Sequence, residues 1–164
     1  MCWFRRSAKG MPIDKKWLKF INESELQTVG IVVCLDDRQR FLAIRRSDID
    51  ERAGMWTIPG GHIDEDDPSM EAGAIRELYE ETDLLCDIED LIYLGEPKTK
   101  KFYFLTYKWT GTVNVKKPNP VTDEIEHDDY KWLTINEIKD LDNSEIPIYL
   151  LEKALEMSKN EFNS

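Results

Sequence analysis

A chain of 164 residues is long enough for one domain with its own core and too short for two ordinary ones. Hydrophobic residues make up 41% and charged residues 34%, and no apolar run approaches the ~20 residues of a membrane span, so a membrane partner is not expected. The net charge of −11, from 33 acidic against 22 basic residues, speaks against a sequence-independent grip on duplex DNA or RNA, which needs a basic face; a phosphorylated small molecule stays admissible, because metal ions can supply the missing positive charge.

Residues 1–26 are polar and mixed and read as an N-terminal extension, partly disordered, ahead of a single domain over 27–164. Within the extension, residues 14–22 suit a short helix that half-buries Trp17, Leu18 and Phe20; the first ten residues are as readily disordered as ordered. Met1-Cys2-Trp3-Phe4-Arg5-Arg6 has no apolar stretch of the secretory kind. Cys2, Cys34 and Cys86 are odd in number and not at metal-ligand spacing; Cys34 and Cys86 sit in apolar runs and read as core thiols. A reducing cytoplasm is the expected compartment.

Thr-Val-Gly-Ile-Val-Val-Cys-Leu (28–35) reads as a buried strand, turned by Asp36-Asp37-Arg38-Gln39 into a second strand over 41–45. A loop over 47–54 leads to Met55-Trp56-Thr57-Ile58-Pro59-Gly60-Gly61-His62-Ile63. The strongest helix signal follows. Asp67-Pro68 offers an N-cap and a proline at the first helical position, and Ala74, Ile75, Leu78 and Tyr79 recur at three- and four-residue spacing to give one buried face. The helix is expected to stop near Thr82-Asp83. Strands follow near 91–94, 102–110 and 130–133, then a capping box at Thr134-Ile135-Asn136-Glu137 and a last amphipathic helix over 146–157. Strands before, between and after helices imply an α/β domain with a mixed sheet.

Arg76-Glu77-Leu78-Tyr79-Glu80-Glu81 carries the sharpest chemical signal. At ~100° per residue, Glu77, Glu80 and Glu81 fall within roughly a third of the helix circumference. Their mutual repulsion is relieved by a hard divalent cation, and Arg76 is placed four residues before Glu80 to hold one carboxylate. A solvated acidic face has the same composition. What favours a metal site is Pro59-Gly60-Gly61 just upstream, where two adjacent glycines permit positive φ and close backbone approach, so that a carbonyl there can face the same ion.

Residues 61–84 resemble the Nudix box, G-x5-E-x7-R-E-U-x-E-E-x-G-U with U aliphatic: Gly61, Arg76, Glu77, Leu78, Glu80, Glu81 and Leu84 match. Ile44-Arg45-Arg46, Trp56-Thr57-Ile58-Pro59-Gly60 and Trp132-Leu133-Thr134-Ile135-Asn136-Glu137-Ile138 also resemble that family, so the likeness runs from about Thr28 onward. Three departures stand out. The interval from Gly61 to Arg76 is one residue longer than the pattern, the first glutamate is replaced by Asp67 or Pro68, and Asp83 stands where the pattern has glycine. None removes a residue expected on the metal; Asp67 is expected to support the loop as a cap, and Asp tolerates a left-handed backbone better than most residues.

The resemblance implies a Nudix-type α/β/α sandwich with a central mixed β-sheet and Mg²⁺-dependent cleavage of a diphosphate linkage, Mn²⁺ substituting. It implies Glu80 and Glu81 as main ligands, Glu77 as a further ligand or the general base, the Gly60 carbonyl in the shell, and Arg76 as the group that orients the carboxylates. A late-loop glutamate acts as ligand or base in many members; Glu124 and Glu126 are the candidates, with Glu124 preferred. His127 is a weak candidate for catalysis, and His62 is expected to pack or hydrogen-bond near the loop. Arg46 is expected to meet substrate phosphate, and Trp56, Phe102, Tyr103 or Phe104 to stack on a base, with Trp56 and Tyr103 the choices carried forward. The stretch 55–62 looks most like members acting on nucleoside triphosphates. ADP-ribose, sugar nucleotides and dinucleoside polyphosphates are alternatives, as are a non-catalytic nucleotide-binding domain and isomerase chemistry on isopentenyl diphosphate. Neither Cys34 nor Cys86 has the setting of a reactive thiol. A homodimer stays open.

Overall fold

The computed structural model describes residues 27–162; the helix expected over 14–22 and the extension that would carry it lie outside the described residues. Three apolar strands form the frame: β1 (Val29–Cys34), β2 (Phe41–Arg46) and, later in the chain, β6 (Lys101–Thr106). Short β3 (Trp56–Thr57) and β4 (Gly60–His62) precede the long helix α1 (Met70–Thr82). After a single 3-10 turn at Ile88–Asp90 come β5 (Ile92–Lys98), β6, β7 (His127–Leu133), the short α2 (Ile135–Lys139) and α3 (Ile148–Phe162). Four strands make a mixed sheet in the order β4-β1-β6-β5, with β1 parallel to β6 and antiparallel to β4. A second, antiparallel sheet runs β3-β2-β7.

Successive side chains of a strand point to opposite faces, and here the two faces build two cores. Ile31, Val33, Phe41, Ala43, Tyr103 and Leu105 turn toward Ile138 of α2 and Leu150, Leu151 and Ala154 of α3. Their neighbours Val32, Cys34, Leu42, Ile44, Phe102 and Phe104 turn toward Met70, Ala74 and Leu78 of α1. A helix layer therefore covers each face, which is the expected α/β/α sandwich, with the strands divided between two sheets.

Helix α1 begins later than expected. Ser69, not Asp67, is the N-cap: its Oγ accepts the Ala72 N–H at 3.0 Å, and Pro68 lies before the cap. The reason is that both carboxylate oxygens of Asp67 are already taken by Arg76. The end of the helix is where the spacing puts it. Asp83 adopts φ 66° and returns its N–H to the Tyr79 carbonyl at 2.9 Å. Tyr79 is a correction, since it is 43% exposed; Lys117 Nζ lies 4.1 Å from its ring centre and covers it instead of the core. Strand β6 stops at Thr106, short of residue 110, because the Thr106 hydroxyl engages the backbone of Lys108 and bends the chain away. The capping box at Thr134 and Glu137 forms as read. Of the cysteines within the described residues, Cys34 is buried, Cys86 half-buried, and both are free; burial pushes both thiols up. Among the described residues no helix is long and apolar enough to cross a membrane.

Candidate active site

Strand β4 lies beside β1 with Gly61 opposite Gly30 and Gly60 opposite Ile31, and α1 crosses the same edge. This brings the glycines against the acidic helix face. Neither Gly60 nor Gly61 has a positive φ, so close approach is what the site requires of them. A Cβ on Gly61 would run into the Glu77 carboxylate. Gly60 meets Glu81 through its amide, whose N–H donates to Oε1 at 2.7 Å.

Arg76 ties the loop to the helix. Its guanidinium donates to both oxygens of Asp67 at 2.9 and 3.0 Å, to the His62 carbonyl at 3.0 Å, to Glu77 at 3.0 Å and to Glu80 at 3.1 Å. Asp64 Oδ2 is a further 3.3 Å neighbour. Asp67 also accepts the Asp64 N–H at 2.7 Å. The longer loop is thus held by a carboxylate clamped on Arg76, a support role for Asp67 that differs from the expected cap. Nothing local in the sequence marks a contact between residues nine apart.

A cleft of about 680 Å³ opens over this face. Gly60, Gly61, Arg76, Glu77, Glu80, Glu81, Glu126, Arg46 and Tyr103 all line it. Glu81, Glu126 and His127 each offer a ligand atom, all within 4.8 Å of one another, and His127 Nε2 lies 3.5 Å from Glu81 Oε2. Glu124 lies elsewhere. It is exposed, its carbonyl closes a turn by accepting the Asn119 N–H at 2.8 Å, and it does not line the cleft. Of the two late-loop candidates the structure brings Glu126 to the carboxylates and leaves Glu124 outside. His127, expected only as a weak candidate for catalysis, stands in this group; its place beside Glu126 at the start of a strand is the signal for that in the sequence.

Charge crowding shows in the protonation of the cluster. Burial pushes the Glu77 carboxyl up to about 7, the Glu80 and Asp64 charges adding to it and Arg76 opposing it. Glu81 is raised well above the carboxylate range by burial and then by Glu77, while the Gly60 N–H pulls the other way. Burial, then the Arg46 charge, lowers His127 to about 4, so its imidazole is neutral above that pH. Two half-buried carboxyls that resist ionising, flanked by more carboxylate oxygens, are a donor set that a hard divalent cation fits.

Arg46 sits at the cleft with its guanidinium on Glu145 (2.6 and 3.0 Å) and Asp50 (3.1 Å). Those bonds use part of its five N–H donors. Tyr103 lines the cleft, whereas Phe102 and Phe104 point into the α1 core. Trp56 does not reach the cleft. It is 7% exposed in the α3-side core, with Arg45 and Lys131 over its ring at 5.7 and 5.1 Å, and it lines a separate depression with Asp128 and Asn143. Its indole is already stacked by cations from its own fold.

Comparisons with known proteins agree with this geometry. A family model for the NUDIX domain matches residues 25–153. An RNA pyrophosphohydrolase of Bartonella tribocorum is 31% identical over 134 residues, covering 67% of this chain and 76% of that protein. A MutT-like protein of Streptomyces ambofaciens is 28% identical over 115 residues, covering 70% and 67%. Among solved structures, the MutT protein of Methanosarcina mazei superposes with a TM-score of 0.55 at 22% identity, covering 81% of this chain and 95% of that one. The NUDIX domain of Shewanella oneidensis NrtR, solved with ADP ribose, gives 0.57 at 20% identity, covering 88% and 98%. With a domain match over most of its length and the acidic helix face assembled beside its glycine strand, the chain belongs to the NUDIX family and is a Nudix hydrolase.

Proposed function

We propose that the chain hydrolyses a diphosphate linkage in a nucleotide with the help of Mg²⁺, or Mn²⁺ in its place. The observation that carries this reading is the convergence of Glu77, Glu80 and Glu81 with Glu126 in one cleft, with Arg76 fixing the first two. Glu80, Glu81 and Glu126 would hold the ion, with His127 beside them. A bound divalent cation supplies neutralising charge for phosphoryl oxygens and makes a nearby water more acidic. Glu77, held against Gly61 by Arg76, accepts the proton as water attacks phosphorus and the bridging P–O bond breaks, its electron pair leaving on the departing phosphate oxygen. Arg46 presents its spare N–H donors to a phosphate. Tyr103 borders the same space, with its hydroxyl raised to about 12 by burial, so it stays protonated and donates a hydrogen bond.

A second reading, a dinucleoside polyphosphate as substrate, has its own support. Lys98 and Lys101 face one another in the β5–β6 register and both line the cleft. Among the described residues neither has an ion pair. Like charges directly opposite on a sheet are unfavourable, and a longer phosphate chain would offset them. A panel of deoxynucleoside triphosphates, ADP-ribose, sugar nucleotides, dinucleoside polyphosphates and a 5′-triphosphorylated oligoribonucleotide, read by product identity with and without Mg²⁺, separates these substrates. No Mg²⁺-dependent release from any of them would sink the hydrolytic assignment.

A further inference from the structure

The segment that delivers Glu126 is pinned at three places. The Asn114 N–H donates to the Thr82 carbonyl at 2.8 Å, and Lys117 Nζ donates to the Tyr79 carbonyl at 2.9 Å while pairing with Asp83. Beyond these anchors the chain folds back through a tight turn, with Asn119 N–H to the Glu124 carbonyl and Asp123 N–H to the Asn119 carbonyl, both at 2.8 Å. Asn119 governs that turn with its side chain as well. Its Oδ1 accepts the N–H groups of Val121 at 2.8 Å and Thr122 at 3.1 Å.

Those two donors fill the carbonyl side of the amide and so fix which way it is turned. The NH₂ side then faces Glu126, with Nδ2 3.2 Å from Oε1. We propose that Asn119 is a positioning residue for Glu126, holding its carboxylate toward the ion-holding cluster through a neutral donor. The proposal rests on the reading of Glu126 as part of that cluster.

The residue type is informative. Asp, Asn, Ser and Thr all close such a turn by accepting backbone N–H groups. A serine or threonine hydroxyl must accept and donate through one oxygen on a short arm, whereas Asn carries its acceptor and its donor on two separate atoms facing opposite ways; Asp would set a second anion against Glu126. A lysine or arginine in its place would orient Glu126 too, but would neutralise it and compete with the cation. An amide orients the carboxylate and leaves its charge available. Arg76 does the comparable task on the opposite wall with a full charge, shared among four carboxylates: Asp64, Asp67, Glu77 and Glu80.

The test is a double-mutant cycle read by calorimetric Mn²⁺ titration of the nucleotide-free protein, alongside turnover and thermal melting, for Asn119→Ala, Glu126→Gln and the pair. Asn119→Ser, which keeps an acceptor for the turn but whose shorter side chain withdraws the donor from Glu126, covers the case in which the alanine variant folds poorly. Asn119→Ala and Asn119→Ser should each weaken Mn²⁺ binding about tenfold when Glu126 is present, in line with a hydrogen bond to a charged group. Neither change should weaken it further once Glu126 is Gln. Equal losses in both backgrounds would mean a turn effect only and would overturn the positioning role, as would unchanged affinity. If Glu126→Gln itself leaves Mn²⁺ binding and turnover intact, the assignment of Glu126 fails, and the role of Asn119 fails with it.

Discussion

At the residue scale the cluster is in tension with itself. Glu77 holds its proton up to about pH 7 in the fold, whereas an unfolded glutamate releases it near 4.3. Across that window the unfolded state binds fewer protons, so the group's contribution to stability is intact below the unfolded value and is lost as pH rises through the folded one. Replacing Glu77 by Gln should therefore stabilise the metal-free protein at pH 8, by something on the order of 1–3 kcal/mol. The gain should vanish near pH 4.5, and urea titrations at the two pH values measure the difference. Glu81→Gln should behave similarly in stability while lowering turnover by about two orders of magnitude or more. A variant that unfolds instead would mark these carboxylates as structural. Gly61 supplies a different test. A methyl group there would collide with the flexible end of Glu77, so Gly61→Ala should shift the melting midpoint little. Displacing a reacting group by about an ångström costs up to ~100-fold, and single-turnover rates should show a loss of that order.

At the element scale, what could be read in advance was whatever depends on neighbours in sequence. The spacing of Ala74 and Leu78, the stop at Thr82-Asp83 and the Thr134–Glu137 capping box need only a few residues each, and they formed as read. The start of α1 did not, because Asp67 is drawn to Arg76, a contact set by the path of the whole loop. Which of Glu124 and Glu126 faces the cleft is hidden from the sequence for a similar reason. Both lie in one acidic stretch, and only the turn closed by Asn119 decides which faces the cleft. The position of Trp56 away from the cleft is not legible locally, because its partners Arg45 and Lys131 come from two other strands. Ser69 offers a clean test of the corrected boundary. Its side chain caps the first turn of α1 by accepting the Ala72 N–H, and Ser69→Ala should cost about 1 kcal/mol in denaturant titrations. Asp67→Asn should leave that cap in place but weaken the clamp on Arg76, so its penalty should fall on turnover more than on stability.

At the scale of the whole molecule, a chain of net charge −11 concentrates several of its carboxylates in one cleft, and a divalent cation is the ligand that relieves both the local and the overall repulsion. A ligand that binds only the folded state raises stability by RT ln(1 + [L]/Kd). The melting midpoint should therefore climb with the logarithm of Mg²⁺ or Mn²⁺ concentration, well beyond what NaCl produces at matched ionic strength, because screening acts on the surface and coordination acts in the cleft. The sign of the pH effect follows from Glu77. Below about pH 7 its carboxyl carries a proton that an incoming cation must displace, and the raised Glu81 carboxyl adds to that demand. The metal-induced rise should thus be larger at pH 8 than at pH 5.5, with protons released on binding at the lower pH. Calorimetry in two buffers of different ionisation enthalpy counts those protons directly. In Glu81→Gln the rise should be largely lost at both pH values, since the deepest oxygen donor is gone. A midpoint that responds to Mg²⁺ and NaCl alike, in the parent and in Glu81→Gln, would mean that charge density alone is felt and that the cleft selects no ion.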